Sequence, residues 1–271
     1  MNDGKTSDRA LASQLACEAG ELLNGLRSDI GGADYEPRTL KDSGDARSHE
    51  FLMKQLAGFR PDDAVLSEEG ADSNERLSAD RVWIVDPLDG TREFSERSDG
   101  VWRDDWAVHV ALWSKADGLI AGAVALPGRG QVFDTSGFDL PSEPGQRTGG
   151  VDGGTLKLAA SRSHPPKLID DIVGAYDVDL VRMGSAGVKT MSVITGETDA
   201  YIHAGGQYEW DSAAPVAVAR AHGLHASRLD GTDLIYNRAD PWLPDLFICR
   251  PALVPRITEI LAAMNHEEHN D

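Results

Sequence analysis

A chain of 271 residues exceeds the usual reach of one hydrophobic core, so one large domain or two packed lobes is expected. An apolar share of 41% with 28 Gly and 13 Pro excludes a disordered or low-complexity chain. Lys and Arg number 26 against 45 Asp and Glu, and the net charge of −19 argues against binding nucleic acid or anionic membrane, which both demand basic counter-charge.

The first helix is expected over residues 8–27, where Leu11, Leu15, Ala16, Ala19, Leu22, Leu23 and Leu26 recur at three- and four-residue steps behind Asp8 as N-cap. The residues before it hold no apolar stretch of a signal peptide, and no window approaches the ~20 apolar residues of a membrane span, so a soluble, cytoplasmic protein is expected. A second helix is read at 46–58, with Phe51, Leu52 and Leu56 on one face. Ala64–Leu66 and Val82–Val85 are short apolar runs that stop at acidic residues, the mark of buried strands ending at a polar edge. Strands at 106–113 and 120–126 flank Asp117-Gly118, a hairpin signal. The Gly-, Pro- and Ser-rich stretch 136–154 reads as the boundary between lobes at 1–145 and 146–271. Beyond it, strands near 156–160, 179–182, 200–203 and 245–249 alternate with helices near 165–175, 186–195, 212–222 and 252–264. Helices and strands mixed throughout predict an α+β layered sandwich of two lobes around one cleft. Cys17 and Cys249 lack the spacing of a metal knuckle and read as two buried thiols, and His222 and His225 read as surface residues at a helix end.

Chemistry concentrates at Asp86-Pro87-Leu88-Asp89-Gly90-Thr91, directly after the strand at 82–85. Two carboxylates three residues apart at a strand end, with Pro87 and Gly90 enforcing a turn, can form an all-oxygen cage with the Leu88 carbonyl. Such a cage suits hard Mg2+ rather than zinc. A helix beginning at Thr91 would offer free N–H groups to a phosphate. Alone, this motif is usually a solvated turn. Two further acidic clusters, Glu68-Glu69 at the end of the preceding strand and Asp211 as a helix N-cap, make a joint metal site the better reading.

These segments together resemble the inositol monophosphatase superfamily of Mg2+-dependent, lithium-sensitive phosphatases. The motifs are Leu66-Ser67-Glu68-Glu69, Trp83 through Thr91, and Trp210-Asp211-Ser212-Ala213-Ala214. Asp89-Gly90-Thr91-Arg92-Glu93-Phe94, Ser161-Arg162-Ser163-His164 and Gly184 through Lys189 are similar to its CysQ-type branch, the 3′-phosphoadenosine-5′-phosphate phosphatases. The resemblance implies a layered αβαβα sandwich. It implies two or three Mg2+ ions on Glu68, Asp86, the Leu88 carbonyl, Asp89 and Asp211, most of them on the N-terminal lobe. Asp45 and Thr91, with Glu68, would orient and deprotonate the attacking water. Gly90, Thr91, Arg92, Ser161, His164, Ser185, Lys189 and Asp211 would meet the substrate, a small phosphorylated molecule, with no nucleic acid or membrane partner and a homodimer as the assembly.

Paired cations roughly 4 Å apart can activate water and clamp phosphoryl oxygens without a protein nucleophile. Gly184 through Lys189 opens a predicted helix, so Ser185, backbone N–H groups and the Lys189 ammonium would converge on an anion. Arg92 either neutralises a second phosphate or pairs with its acidic surroundings. Three rivals stand beside a bisphosphate nucleotidase: an inositol- or fructose-phosphate phosphatase, an aspartyl-phosphate enzyme using Asp86, and a cation-dependent binder. The aspartyl enzyme requires carboxylates two apart rather than three, and the intact acidic set counts against a mere binder.

Overall fold

The computed structural model describes residues 6–136, 154–163 and 165–267. Helix α1 spans Asp8–Ile30 and α2 Pro37–Phe59; strands β1 (Ala64–Ser67) and β2 (Arg81–Asp89) lead to the short helix α3 (Thr91–Ser95). A small ribbon, β3 (Arg97–Ser98) with β4 (Val101–Trp102), precedes β5 (Ala107–Ser114), β6 (Gly118–Leu126) and β7 (Gln131–Asp134). The second half runs β8 (Leu156–Ser161), α4 (Lys167–Ala175), β9 (Val178–Met183), α5 (Ala186–Ile194), β10 (Ala200–Tyr208) and α6 (Glu209–Ala221). It closes with β11 (His225–Ser227), β12 (Trp242–Cys249) and α7 (Val254–Glu267). No helix among the described residues is long and apolar enough to cross a membrane.

Two five-stranded sheets organise the chain. The first has strand order β1-β2-β5-β6-β7, with β1 parallel to β2 and the rest antiparallel. The second has order β11-β12-β10-β8-β9, parallel where β8 meets its neighbours and antiparallel around β12.

Side-chain alternation assigns each sheet face to a helix layer. Trp83, Val85, Val108, Val110 and Leu112 pack with Leu11, Leu15 and Leu23 of α1 and Leu52 and Leu56 of α2. The opposite face, through Ile84, Ala107 and Ala111, meets Val188 and Met191 of α5 and Ala213, Val216 and Val218 of α6. Those helices also contact Tyr201, Leu246 and Ile248 of the second sheet, whose far face packs on Ile169 of α4 and Ile257 and Leu261 of α7. The result is the expected αβαβα sandwich. Its middle helix layer serves both sheets, and Gly122 admits α6 closely, since a Cβ there would lie 2.9 Å from that of Ala217.

Several local expectations are corrected. Ser7, not Asp8, caps α1 by accepting the Ala10 N–H at 3.3 Å, and Asp8 instead pairs with Arg60 and Arg81. Helix α2 begins at Pro37 rather than 46, with the Glu36 carboxylate accepting the Thr39 N–H at 2.7 Å. A glutamate cap is an uncommon start signal, and Gly44 interrupts the apolar period that would have revealed the first turns. Strand β2 continues beyond Val85 through Asp89. His222 is buried, its Nδ1 lying 2.8 Å from the Val218 carbonyl. Most of the 136–154 boundary and His164 lie outside the described residues.

Candidate metal centre and substrate cleft

The site begins where β2 loses its register. Asp86 pairs with His109 and Asp89 with Ala107, so Pro87 and Leu88 bulge out of the ladder between them. Pro87 has no N–H to give the sheet, and its carbonyl accepts the Ser48 hydroxyl of α2 at 2.7 Å. The Leu88 N–H donates to Asp86 Oδ1 at 3.0 Å, turning the carboxylate toward the bulge. Gly90, at φ +85°, then reverses the chain into α3 with Ser185 and Trp106 so close that a Cβ would meet them at 3.3 Å. Arg27 of α1 pins the end of α3 by donating to the Glu93 and Phe94 carbonyls.

Asp89 is the most constrained carboxylate. Its Oδ2 accepts the Ser185 hydroxyl at 2.5 Å and the Gly187 N–H at 3.0 Å. His109 Nε2 stands 3.2 Å from the same oxygen, an electrostatic contact poorly aligned for a hydrogen bond. The other ring nitrogen lies 3.2 Å from the Trp210 carbonyl, one residue before Asp211. Gly187 must be glycine here, because a Cβ would fall 2.2 Å from His109 Nε2. The N-terminus of α5, expected to receive a substrate anion, therefore receives Asp89.

The remaining carboxylates arrive from three elements. Glu68 follows β1, where its N–H reaches the Val85 carbonyl at 3.4 Å and so draws it beside Asp86. Asp211 is the third residue of α6 rather than its N-cap, and its Oδ2 accepts the Tyr208 N–H at 2.6 Å. Asp45 sits on α2 next to Gly44, a position so tightly packed that a Cβ would meet Phe94 at 2.7 Å and Leu88 at 2.9 Å.

Burial and the charges of neighbouring carboxylates raise Asp86, Glu68, Asp211 and Asp45. Asp86 is driven well above the carboxylate range by burial and then by Glu68, Asp89 and Asp211. Glu68 opens to solvent on one side, yet desolvation on the others and the Asp211 charge raise it to about 8. Burial and Asp89 raise Asp211 to about 7, and burial with Glu69 does the same for Asp45. Lys189 of α5 is buried among them; burial lowers its pKa while Asp89, Glu93, Asp211 and Asp105 oppose that. One buried ammonium cannot neutralise four carboxylates, and a divalent cation would.

Asp86, Asp89 and His109 bring potential ligand atoms within 4.8 Å of one another. The carboxylates suit a hard cation. His109 is better placed to orient than to ligate, being fully buried between Asp89 and the Trp210 carbonyl.

A cavity of about 350 Å³ extends from this cluster, lined by Asp89, Glu93, Ser161, Ser185, Lys189 and Asp211. Of the predicted substrate residues, Ser161, Ser185, Lys189 and Asp211 thus reach it. Ser185 is committed to Asp89 and to the Val188 N–H, and Lys189 Nζ donates to the Gly184 carbonyl. Arg92 is exposed and off the cavity wall, and Arg162 pairs with Asp105 at 2.6 Å and Glu93 at 3.4 Å. Thr91 is half-buried at the start of α3. Sequence reasoning missed Tyr201, His203, Gly206, Gln207, Tyr208 and Trp242, which line the far wall.

The inositol monophosphatase family model matches residues 6–265. A 3′-phosphoadenosine 5′-phosphate phosphatase of Mycobacterium leprae is 47% identical, over 94% of this chain and 93% of that one. An inositol-1-monophosphatase of Mycobacterium bovis is 29% identical, over 88% and 90% of the respective chains. The crystal structure of CysQ from Bacteroides thetaiotaomicron superposes with a TM-score of 0.69 at 28% identity, covering 89% of this chain and 96% of that one.

Two outcomes follow from this geometry. Groups whose folded pKa is raised stabilise the fold while protonated, and that stabilisation is lost as pH climbs through the folded value. For Asp211 and Glu68 the loss runs upward from the ordinary carboxylate range through about 7 and about 8. The Tm of metal-free protein should therefore fall between about pH 5.5 and 8.5, and saturating Mg2+ should remove most of the fall. A flat metal-free profile would contradict the clustering. Ser185→Ala should weaken Mg2+ binding, read by calorimetry, by about 10- to 100-fold through loss of its bond to Asp89. Unchanged Mg2+ affinity with a raised KM would return Ser185 to the substrate.

Proposed function

The chain belongs to the inositol monophosphatase family, and we propose that it is a Mg2+-dependent phosphomonoesterase removing the 3′-phosphate of 3′-phosphoadenosine 5′-phosphate to give AMP and phosphate. The observation that carries this reading is a set of like-charged carboxylates, gathered around the buried Asp86, converging at one end of a cavity large enough for a small ligand. The nucleotide is preferred over inositol phosphate because identity is 47% to the curated nucleotide phosphatase and 29% to the inositol enzyme.

Glu68, Asp86, Asp89, Asp211 and the Leu88 carbonyl would hold two or three Mg2+ ions. Bound there, the cations supply Lewis acidity and charge neutralisation for displacement at phosphorus. The chain's own residues do the rest. Ser185 and Gly187 engage one Asp89 oxygen and leave the other for ligation. Asp45, with its pKa near 7, is poised to take a proton from water at neutral pH, and Thr91 would orient that water. Asp86 is buried and holds the Leu88 N–H, a poor disposition for a nucleophile. Lys189 provides positive charge on the cavity wall between the metal end and the substrate body.

Phosphate release should be measured with Mg2+ across 3′-phosphoadenosine 5′-phosphate, inositol 1-phosphate and fructose 1,6-bisphosphate. The nucleotide should lead in kcat/KM by about ten-fold or more, the worth of roughly one well-made contact. Asp89→Asn should lose more than about 100-fold, beyond the cost of an outer contact alone. A sugar phosphate turned over faster than the nucleotide would overturn the substrate assignment, and an active Asp89→Asn would overturn the metal assignment.

A further inference from the structure

The far end of the cavity has a different chemistry from the carboxylate end. Strand β10 slips register against β12 between Ala204 and Gln207, and the slip is made by Gly205 and Gly206, both with positive φ (121° and 88°). A Cβ on Gly206 would lie 1.6 Å from the Trp242 ring, so the glycine lets the indole lie over the bulge. His203 Nε2 lies 2.8 Å from the Gly206 carbonyl and fastens the bulge from the other side. Tyr208 meets Trp242 edge-on at 5.4 Å and stacks on Trp210 at 4.7 Å with an interplanar angle of 10°. Tyr208 and Trp242 remain 43% and 40% exposed, although both are large aromatics.

Gln207 supplies the second, independent observation. It lines the same cavity, is only 7% exposed, and its amide nitrogen has no hydrogen-bond partner among the described residues. A buried amide donor left unpaired is costly, which points to a ligand acceptor at that position. An aromatic rim beside one unpaired donor fits a planar heteroaromatic ring, which offers a π-face and in-plane acceptor nitrogens. It fits a polyol such as inositol poorly, since a polyol has no flat face and needs several hydroxyl partners.

We infer that Gln207, Tyr208 and Trp242 form a nucleobase subsite, with Trp242 stacking the ring, Tyr208 meeting it edge-on and the Gln207 amide donating to a ring nitrogen. The assignment rests on the nucleotide reading above for the orientation of the ligand, phosphate toward Asp89 and base toward Trp242. Tyr208 joins the two ends, because its N–H holds Asp211 while its ring forms the rim.

Binding rather than turnover tests this. Calorimetric titration of the full chain in Mg2+ with AMP and with ribose 5-phosphate isolates the base. AMP should bind about ten-fold tighter or more, as base stacking predicts. Trp242→Ala and Gln207→Leu should each erase most of that advantage while leaving ribose 5-phosphate affinity unchanged, and Trp242→Phe should keep most of it. A wild-type protein that binds the two equally, or variants that weaken both alike, would overturn the subsite. Base-dependent binding lost in Trp242→Ala, in a protein that releases no phosphate from the nucleotide bisphosphate, would leave the subsite standing and overturn the catalytic reading alone.

Discussion

Four carboxylates gathered in a low-dielectric space cannot all ionise without a cation, and this constraint organises the molecule. Asp86 and Asp89 come from one bulged strand end, Glu68 from its parallel neighbour, and Asp211 from a helix that packs between the two sheets. Three of the four are held by hydrogen bonds within the chain: Asp86 by the Leu88 N–H, Asp211 by the Tyr208 N–H, Asp89 by Ser185 and Gly187. The cage is therefore preorganised, which lowers the cost of assembling it around a cation.

The contacts across the middle of the sandwich serve the same end. His109 lies on the face of β5 opposite Val108 and Val110, and its ring spans from Asp89 to the Trp210 carbonyl. Asp105 accepts the Gly184 N–H at 2.7 Å and pairs with Arg162 at 2.6 Å, tying the turn before α5 to the first sheet. Gly187 and Gly184 make these approaches possible, since a Cβ on either would fall inside His109 or against Glu93 and the Asp105 carbonyl. A small displacement of α5 would thus reach Asp89 directly.

Legibility in the sequence followed the range of the interactions. The apolar body of β2 at Val82–Val85, the hairpin at Gly118 and the apolar stripe of α1 are written in consecutive residues and are legible there, whereas the continuation of β2 to Asp89 is not. Helix α2 was read short because Glu36 and Gly44 hide its first turns, and Gly44 is explained only by Phe94 and Leu88 packed against it. Gly184 through Lys189 reads as an anion cradle, and its Ser185 hydroxyl and Gly187 N–H meet Asp89, which lies ninety-six positions from Ser185. His109 gave no signal, being one polar residue in an apolar strand. Gln207, Tyr208 and Trp242 meet only through the β10–β12 pairing, and the Gly205-Gly206 pair in a strand was the one local hint of a bulge.

The central claim is that the carboxylate cluster is a cation site built by oxygen donors. Crystals soaked in Mn2+ and measured for anomalous scattering test it most directly. The account predicts anomalous peaks surrounded by oxygens of Glu68, Asp86, Asp89 and Asp211, with His109 outside bonding distance. An absence of peaks at saturating Mn2+, or a peak bound through the His109 nitrogen, would contradict it.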